Sequence, residues 1–190
     1  MNDKVELEAR RSLKKNNIID CCRKAFSAGG IEATSISKLC KSAKVNPKVM
    51  YDYFASKEEI VLACAARSID MIADMIVKNV IDTDGDIIRN IDNVISECYS
   101  VREEVRFLYQ VVVSPNYRQK IKKFITPLHD KYEMCKQKIC LKYNQSMEQV
   151  DSLFHILVGA TDYYCLLEDE EYIAKIKKVV YPMIETLLAK

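Results

Sequence analysis

The stretch Thr34-Ser35-Ile36-Ser37-Lys38-Leu39-Cys40-Lys41-Ser42-Ala43-Lys44-Val45-Asn46-Pro47-Lys48-Val49-Met50-Tyr51-Asp52-Tyr53-Phe54 holds two helix starts and one tight turn. Thr34 or Ser35 can cap a short helix running to about Ser42, with Ile36, Leu39 and Cys40 facing inward. Asn46-Pro47 opens another. Asn accepts from an orphan N–H, and Pro tolerates the first helical position because its missing N–H has no partner there anyway. That helix reaches about Tyr53 and turns Val45, Met50 and Phe54 inward. The linker Ala43-Lys44-Val45 has the length that sets two helices roughly perpendicular. In such a pair the later helix can enter a major groove while the earlier one crosses the backbone.

Working outward, Ile18, Ile19, Cys22 and Phe26 recur at helical spacing upstream, so a first helix is expected from Val5 or Leu13 to Ala28. Gly29-Gly30 ends it, since Gly adopts the left-handed conformation most easily. Downstream, Ser56-Lys57-Glu58-Glu59 is a capping box that starts a long fourth helix to about Val80. Asp82-Thr83-Asp84-Gly85 reads as a turn. A fifth helix is expected from Asp86 to Val113, a shorter segment over 116–125, a break at Pro127, and a seventh helix from Leu128 to Lys142. A second capping box, Ser146-Met147-Glu148-Gln149, precedes the last pair. Val150, Phe154, Leu157, Thr161 and Tyr164 form one seam, and Ile173, Ile176, Val180, Met183 and Leu187 another, both stepping by threes and fours. Gly159-Ala160 would admit a second backbone closely. The acidic turn Glu168 to Glu171 favours the start of the final helix, which Pro182 should kink. The expected fold class is therefore all-α, about nine helices, with residues 1–57 as a helix-turn-helix domain and 58–190 as a helical effector-binding and dimerisation domain.

Composition agrees with that outline. In 190 residues, 49% are hydrophobic and 29% charged, and four Gly and four Pro leave little turn material. No run approaches the roughly 18 uncharged apolar residues of a membrane span. Residues 1–15 are dominated by charge and lack the apolar core of a secretory signal, so a cytoplasmic protein is expected. The net charge of +2 hides an asymmetry: residues 1–57 hold 12 Lys/Arg against 6 Asp/Glu, while the remainder holds 17 against 21. A basic first third on an acidic body suits a polyanion bound at one end. Eight cysteines show no CxxC and no zinc spacing, and several occupy positions where a helix wants a small apolar residue. Reduced, packed thiols are expected. No metal site, cofactor motif or catalytic constellation is visible, and His129 and His155 stand far apart.

With Met50 and Phe54 turned in, Pro47, Lys48, Val49, Tyr51 and Asp52 are left facing out. Lys48 can reach a base edge or a phosphate, and the Tyr51 and Tyr53 hydroxyls can donate to phosphate oxygens. Thr34, Ser35 and Ser37 set hydroxyls at the start of one helix, and Lys57 an ammonium at the start of another. These pieces, with the cap Asn46, make the candidate DNA-binding set.

The run Ile18-Ile19-Asp20-Cys21-Cys22-Arg23-Lys24-Ala25-Phe26, then Gly30, Ala33-Thr34-Ser35-Ile36, Leu39-Cys40, Ala43, Val45 and Tyr51-Asp52-Tyr53-Phe54-Ala55-Ser56-Lys57-Glu58, resembles the N-terminal signature of the TetR family. It covers about residues 13–62. The resemblance implies an all-helical homodimer whose last two helices form the interface, and a divergent C-terminal domain that binds a small molecule and releases DNA when occupied. By position it makes Pro47, Lys48, Val49, Tyr51 and Tyr53 groove-facing, and Ser35, Ser37 and Lys57 phosphate-facing. Three positions depart from the pattern: Lys44 stands where Gly is common, Asn46 where Ser or Thr is common, and Lys48 where a small residue is frequent. The first implies a left-handed lysine, and the third means that base contacts do not transfer.

The expected function is thus a DNA-binding transcriptional repressor released by an effector. A mostly apolar effector pocket is assigned to Tyr99, Phe107, Tyr109, Met134, Phe154 and Tyr163, with Tyr164 nearby; the same residues can equally serve as core. The two seams on the last helices are the expected dimer interface. Two other readings compete: a regulator that senses redox state through its cysteines, and a helical interaction adaptor without DNA binding.

Overall fold

The structure is a computed structural model that describes residues 2–81 and 86–188; the turn expected at Asp82 to Gly85 lies outside the described residues. Among those residues there are nine α-helices and no strand: α1 (Asn2–Gly29), α2 (Ile36–Ser42), α3 (Pro47–Tyr53), α4 (Lys57–Ile76), α5 (Ile87–Ser100), α6 (Arg102–Val113), α7 (Arg118–Tyr143), α8 (Met147–Leu167) and α9 (Glu170–Leu188). A π-helical turn, Val77–Ile81, continues α4 where the sequence suggests plain helix to Val80. No described helix is long and apolar enough to cross a membrane.

Caps fall where the side chains require them. Ser35 Oγ accepts from Lys38 N at 3.3 Å, Asn46 Oδ1 from Val49 N at 2.9 Å, and Ser56 Oγ from Glu59 N at 3.2 Å. Glu59 closes its box by accepting from Ala55 N at 2.7 Å. Each such cap contributes about 1 kcal/mol by satisfying an N–H that the helix leaves unpaired.

Three boundaries differ from the sequence reading. α1 begins at Asn2, ahead of Val5 and Leu13, because nothing breaks it before Gly29 and Glu6–Arg10 pairs one turn apart at 2.7 Å. The single helix expected from Asp86 to Val113 is two. Val101 leaves the helical region (φ −113°, ψ 26°), Ser100 Oγ donates to Glu97 O at 2.7 Å, and Glu103 and Glu104 make an acidic first turn for α6. Conversely, Pro127 lies inside α7 instead of breaking it. An internal proline costs about 3 kcal/mol, a sum that packing can outweigh where the helix is anchored on both sides of it. Here Ile121 and Cys135 are buried to either side.

The chain divides into two compact units, Met1–Ile69 with Arg106–Lys123, and Asp70–Val105 with Phe124–Lys190. The core of the first gathers Ile18, Cys22 and Phe26 of α1, Leu39 and Cys40 of α2, Met50 of α3, Phe54, and Ile60, Val61 and Cys64 of α4. Phe107, Val111, Tyr117 and Ile121 complete it. The rings of Phe26 and Phe107 stack with centroids 5.7 Å apart. In the second unit, Ile95 of α5, Ala160 of α8 and Ile173 of α9 form a buried cluster flanked by Ile91, Tyr164, Tyr172 and Ile176. Asp92 of α5 accepts from Lys177 Nζ and Tyr181 Oη of α9, both at 2.6 Å.

All eight cysteines are free thiols, six of them buried. Burial first, then neighbouring sulfur, pushes the Cys22 and Cys98 thiols up to about 12. These are packing residues held as thiols.

Candidate nucleic-acid interface

Why α2 and α3 stand as a bent pair is visible at the turn. Ala43 N donates to Leu39 O at 2.9 Å and Val45 N to Cys40 O at 3.0 Å, so the chain closes α2 and reverses within three residues. Lys44 sits at φ +53°, the left-handed region that costs a side-chain-bearing residue roughly 1–2 kcal/mol. The departure from glycine noted in the sequence is therefore real backbone strain. It places an exposed ammonium on the turn.

α3 is fixed from beneath. Met50 and Phe54 are fully buried, and Phe54 N donates to Met50 O at 3.1 Å to close the helix. The opposite face is open: Pro47, Lys48 and Asp52 are exposed, and Tyr51 is 52% exposed. Lys48, Tyr51 and Asp52 lie three and four residues apart, so they share one outward patch. Val49 and Tyr53 are half-buried at its margins. Ser35 and Ser37 are exposed on α2, with Ser35 also serving as its cap, and Lys57 is half-buried at the first position of α4.

Thr34 is placed differently. It is 1% exposed, and its hydroxyl donates to Gly30 O at 2.7 Å. A Cβ on Gly29 would come within 2.9 Å of that hydroxyl, and Gly30 itself sits at φ +74°. Thr34 thus locks the α1–α2 connection from inside, which removes it from any surface that meets phosphate. Arg11, absent from the sequence assignment, reaches this region: its guanidinium carbon lies 5.7 Å from the centroid of the Tyr53 ring. The signal was available, because Arg11 and Lys15 continue the Ile18–Cys22–Phe26 face toward the N-terminus.

The residues assigned to an effector pocket are divided between the two units. Phe107 and Tyr109 belong to the first unit, the former wholly buried against Phe26. In the second unit Tyr99 stacks on Tyr164 at 4.2 Å, and Phe154 meets Tyr132 edge-on at 5.0 Å. Met134 and Tyr163 are exposed.

The two seams assigned to a dimer interface also divide. Val150, Thr161, Ile173 and Val180 are buried within their own unit; Phe154, Leu157, Tyr164, Ile176 and Leu187 are half-buried; Met183 is exposed. Besides Met183, the exposed large apolar residues of the last two helices lie off the seams, among them the stripe Ile156, Tyr163 and Leu167 on α8, and Val179 on α9. Gly159 falls between Ile156 and Tyr163 on that stripe, with nothing within 4 Å of where its Cβ would stand.

A capped, bent helix pair with its second helix anchored beneath and polar above defines a helix-turn-helix protein. Residues 18–64 match the family model described as bacterial regulatory proteins, tetR family. The HTH-type transcriptional regulator UidR of Escherichia coli K12 is 32% identical over 63 residues, covering 33% of this chain and 31% of UidR. The matched stretch thus spans about a third of that relative's length. Two solved structures share the fold over nearly the whole chain. The reduced form of Escherichia coli NemR has a TM-score of 0.70 at 15% identity, covering 89% of this chain and 95% of NemR. A protein described as a transcriptional regulator from Rhodococcus sp. RHA1 has a TM-score of 0.72 at 13% identity, covering 93% and 100%. Over residues 18–64 the chain is thus similar to the N-terminal domain of the TetR family, and over most of its length it shares a fold with the two solved regulators.

Proposed function

We propose that this chain is a DNA-binding transcriptional regulator that works as a homodimer in the cytoplasm, represses by occupying its operator, and leaves when a small, mostly apolar molecule binds. It acts by binding and carries out no chemistry. Residues 1–57 read DNA, and residues 58–190 sense the effector and dimerise. The observation that carries the reading is the contrast across α3: Met50 and Phe54 fully buried beneath, Lys48 and Tyr51 open above. A helix held that firmly can present base-reading groups without reorganising.

Dimerisation is supported by the open apolar stripe of Ile156, Gly159, Tyr163 and Leu167 along α8, since an exposed apolar patch marks an interaction site. Among the residues assigned to the effector, Tyr99, Met134, Phe154 and Tyr163 lie in the second unit and remain its candidates. Cys22, Cys98 and Cys135 are poor carriers of the redox alternative, because burial holds their thiols well above the range in which a thiolate reacts.

The test is selection of bound duplexes from a random pool at low ionic strength. Two inverted half-sites, centred about one helical turn or somewhat more apart, are the expected outcome. Enrichment of no sequence at all, with no duplex retained, would overturn the reading. A thermal-shift screen of small apolar molecules tests the effector: a stabilising molecule that also lowers duplex affinity supports release, and one that stabilises without lowering it refutes release.

A further inference from the structure

α1 buries Ile18, Cys22 and Phe26 along one face. The same face, followed toward the N-terminus in steps of three and four, comes to Lys15 and then Arg11. Cations therefore stand where the seam, had it continued into a core, would carry apolar side chains. Both are drawn to the C-terminal end of α3. Arg11 Nη2 donates to Asp52 O at 3.4 Å while its guanidinium covers Tyr53, and Lys15 Nζ lies 5.2 Å from the centroid of Phe54. Lys14 is exposed beside them; Arg10, on the flank, is engaged by Glu6. Residues 10–15 hold four cations and no acid, and they precede the residues that match the family model.

We propose that Arg11, Lys14 and Lys15 form a second anchoring surface for duplex DNA, gripping phosphates next to the bases that α3 faces. The proposal rests on the DNA-binding reading above. A polyanion that meets the outer face of α3 passes the end of that helix, and there the three cations stand. Each phosphate neutralised releases counterions, a gain that is independent of sequence and sensitive to salt. An anionic membrane is a poorer fit: the exposed Val5, Leu7 and Leu13 of the same segment fall on different sides of the helix and make no insertable stripe.

The experiment uses the full chain and two duplexes of equal length, one selected from a random pool and one scrambled, with binding measured across a range of salt. For Arg11→Gln/Lys14→Gln, the slope of log affinity against log salt should shrink by about 1.8 on both duplexes, roughly 0.9 for each lost contact. The affinity ratio between the duplexes should stay that of the parent. Lys14→Gln alone, which leaves Arg11 on Tyr53, should shrink the slope by about 0.9. The charge-preserving Arg11→Lys/Lys14→Arg should restore the parent's slope. An unchanged slope in the double variant overturns the proposal. So does collapse of the preference for the selected duplex, which would mean that Arg11 acts through α3. A parent chain that binds neither duplex at low salt instead sinks the DNA-binding reading itself.

Discussion

α3 and α8 each bury one face and expose the other, but the exposed faces are opposite in character. α3 rests on Met50 and Phe54 and turns out Lys48, Tyr51 and Asp52. α8 rests on Val150, Ala160, Thr161 and Cys165 and turns out Ile156, Tyr163 and Leu167. A polar surface is content in water and selects a partner by hydrogen bonds and by the placing of single charges such as Lys48. An apolar one gains by leaving water, at about 25 cal/mol per Å² buried, and selects a surface like itself. The inner faces hold the fold, and the outer faces choose what is bound. Removing an inner residue should therefore cost stability, and removing an outer one should cost a partner.

The largest expected effect strikes an inner face. Phe26→Ala removes a fully buried ring stacked on Phe107, and denaturant unfolding should show a loss of about 3–5 kcal/mol. A loss below about 1 kcal/mol would break the division between inner and outer residues.

On the outer face of the second unit, Ile156→Glu/Val179→Glu should leave helicity intact and, for the dimer proposed above, give a monomer in sedimentation. Duplex affinity should then fall by about 10²-fold or more as the second half-site is lost. A variant that stays dimeric would move the interface elsewhere.

Lys48→Ala should leave the melting temperature unchanged and weaken binding. If Lys48 reads a base edge, discrimination at one operator position drops by about 1–3 kcal/mol. If it grips phosphate, all sequences weaken alike and the salt slope falls by about 0.9.

The smallest of these effects is a pH test within the second unit. Burial pushes the Asp92 carboxyl up, but the hydrogen bonds from Lys177 and Tyr181 outweigh it and hold the group below its ordinary value. A depressed folded pKa contributes stability above the ordinary carboxylate range and loses it as pH falls through the folded value. Because this pair is partly exposed, Asp92→Asn should cost no more than about 1 kcal/mol near neutrality, and the difference should vanish in strong acid.

Legibility followed the range over which each decision is made. The caps at Ser35, Asn46 and Ser56, the stop at Gly30 and the inward Met50 and Phe54 are set within one or two helical turns, and the sequence shows each of them. Phe107 was not legible as a partner for Phe26, because 81 residues separate them and nothing local marks the pairing. Thr34 looked like a surface hydroxyl because its acceptor, Gly30 O, exists only once the glycine turn has formed. On α8 and α9 the spacing identified helices with apolar faces. Two stripes about a quarter turn apart, one buried and one open, share that spacing, so periodicity could not say which one met its own unit. The break at Val101 carried no Gly or Pro, and Pro127 carried a stop signal that packing overrode.

The left-handed lysine at the bend has a last consequence. Lys44→Gly should relax φ +53° and raise the melting point by the equivalent of about 1 kcal/mol, while withdrawing a cation from the neighbourhood of DNA. On the proposed DNA-binding role, heat tolerance and grip on DNA therefore pull this one position in opposite directions. Under the proposed function, a population selected for survival at high temperature should drift to glycine here and bind DNA less tightly, and one selected for tight DNA binding should keep the lysine and melt earlier.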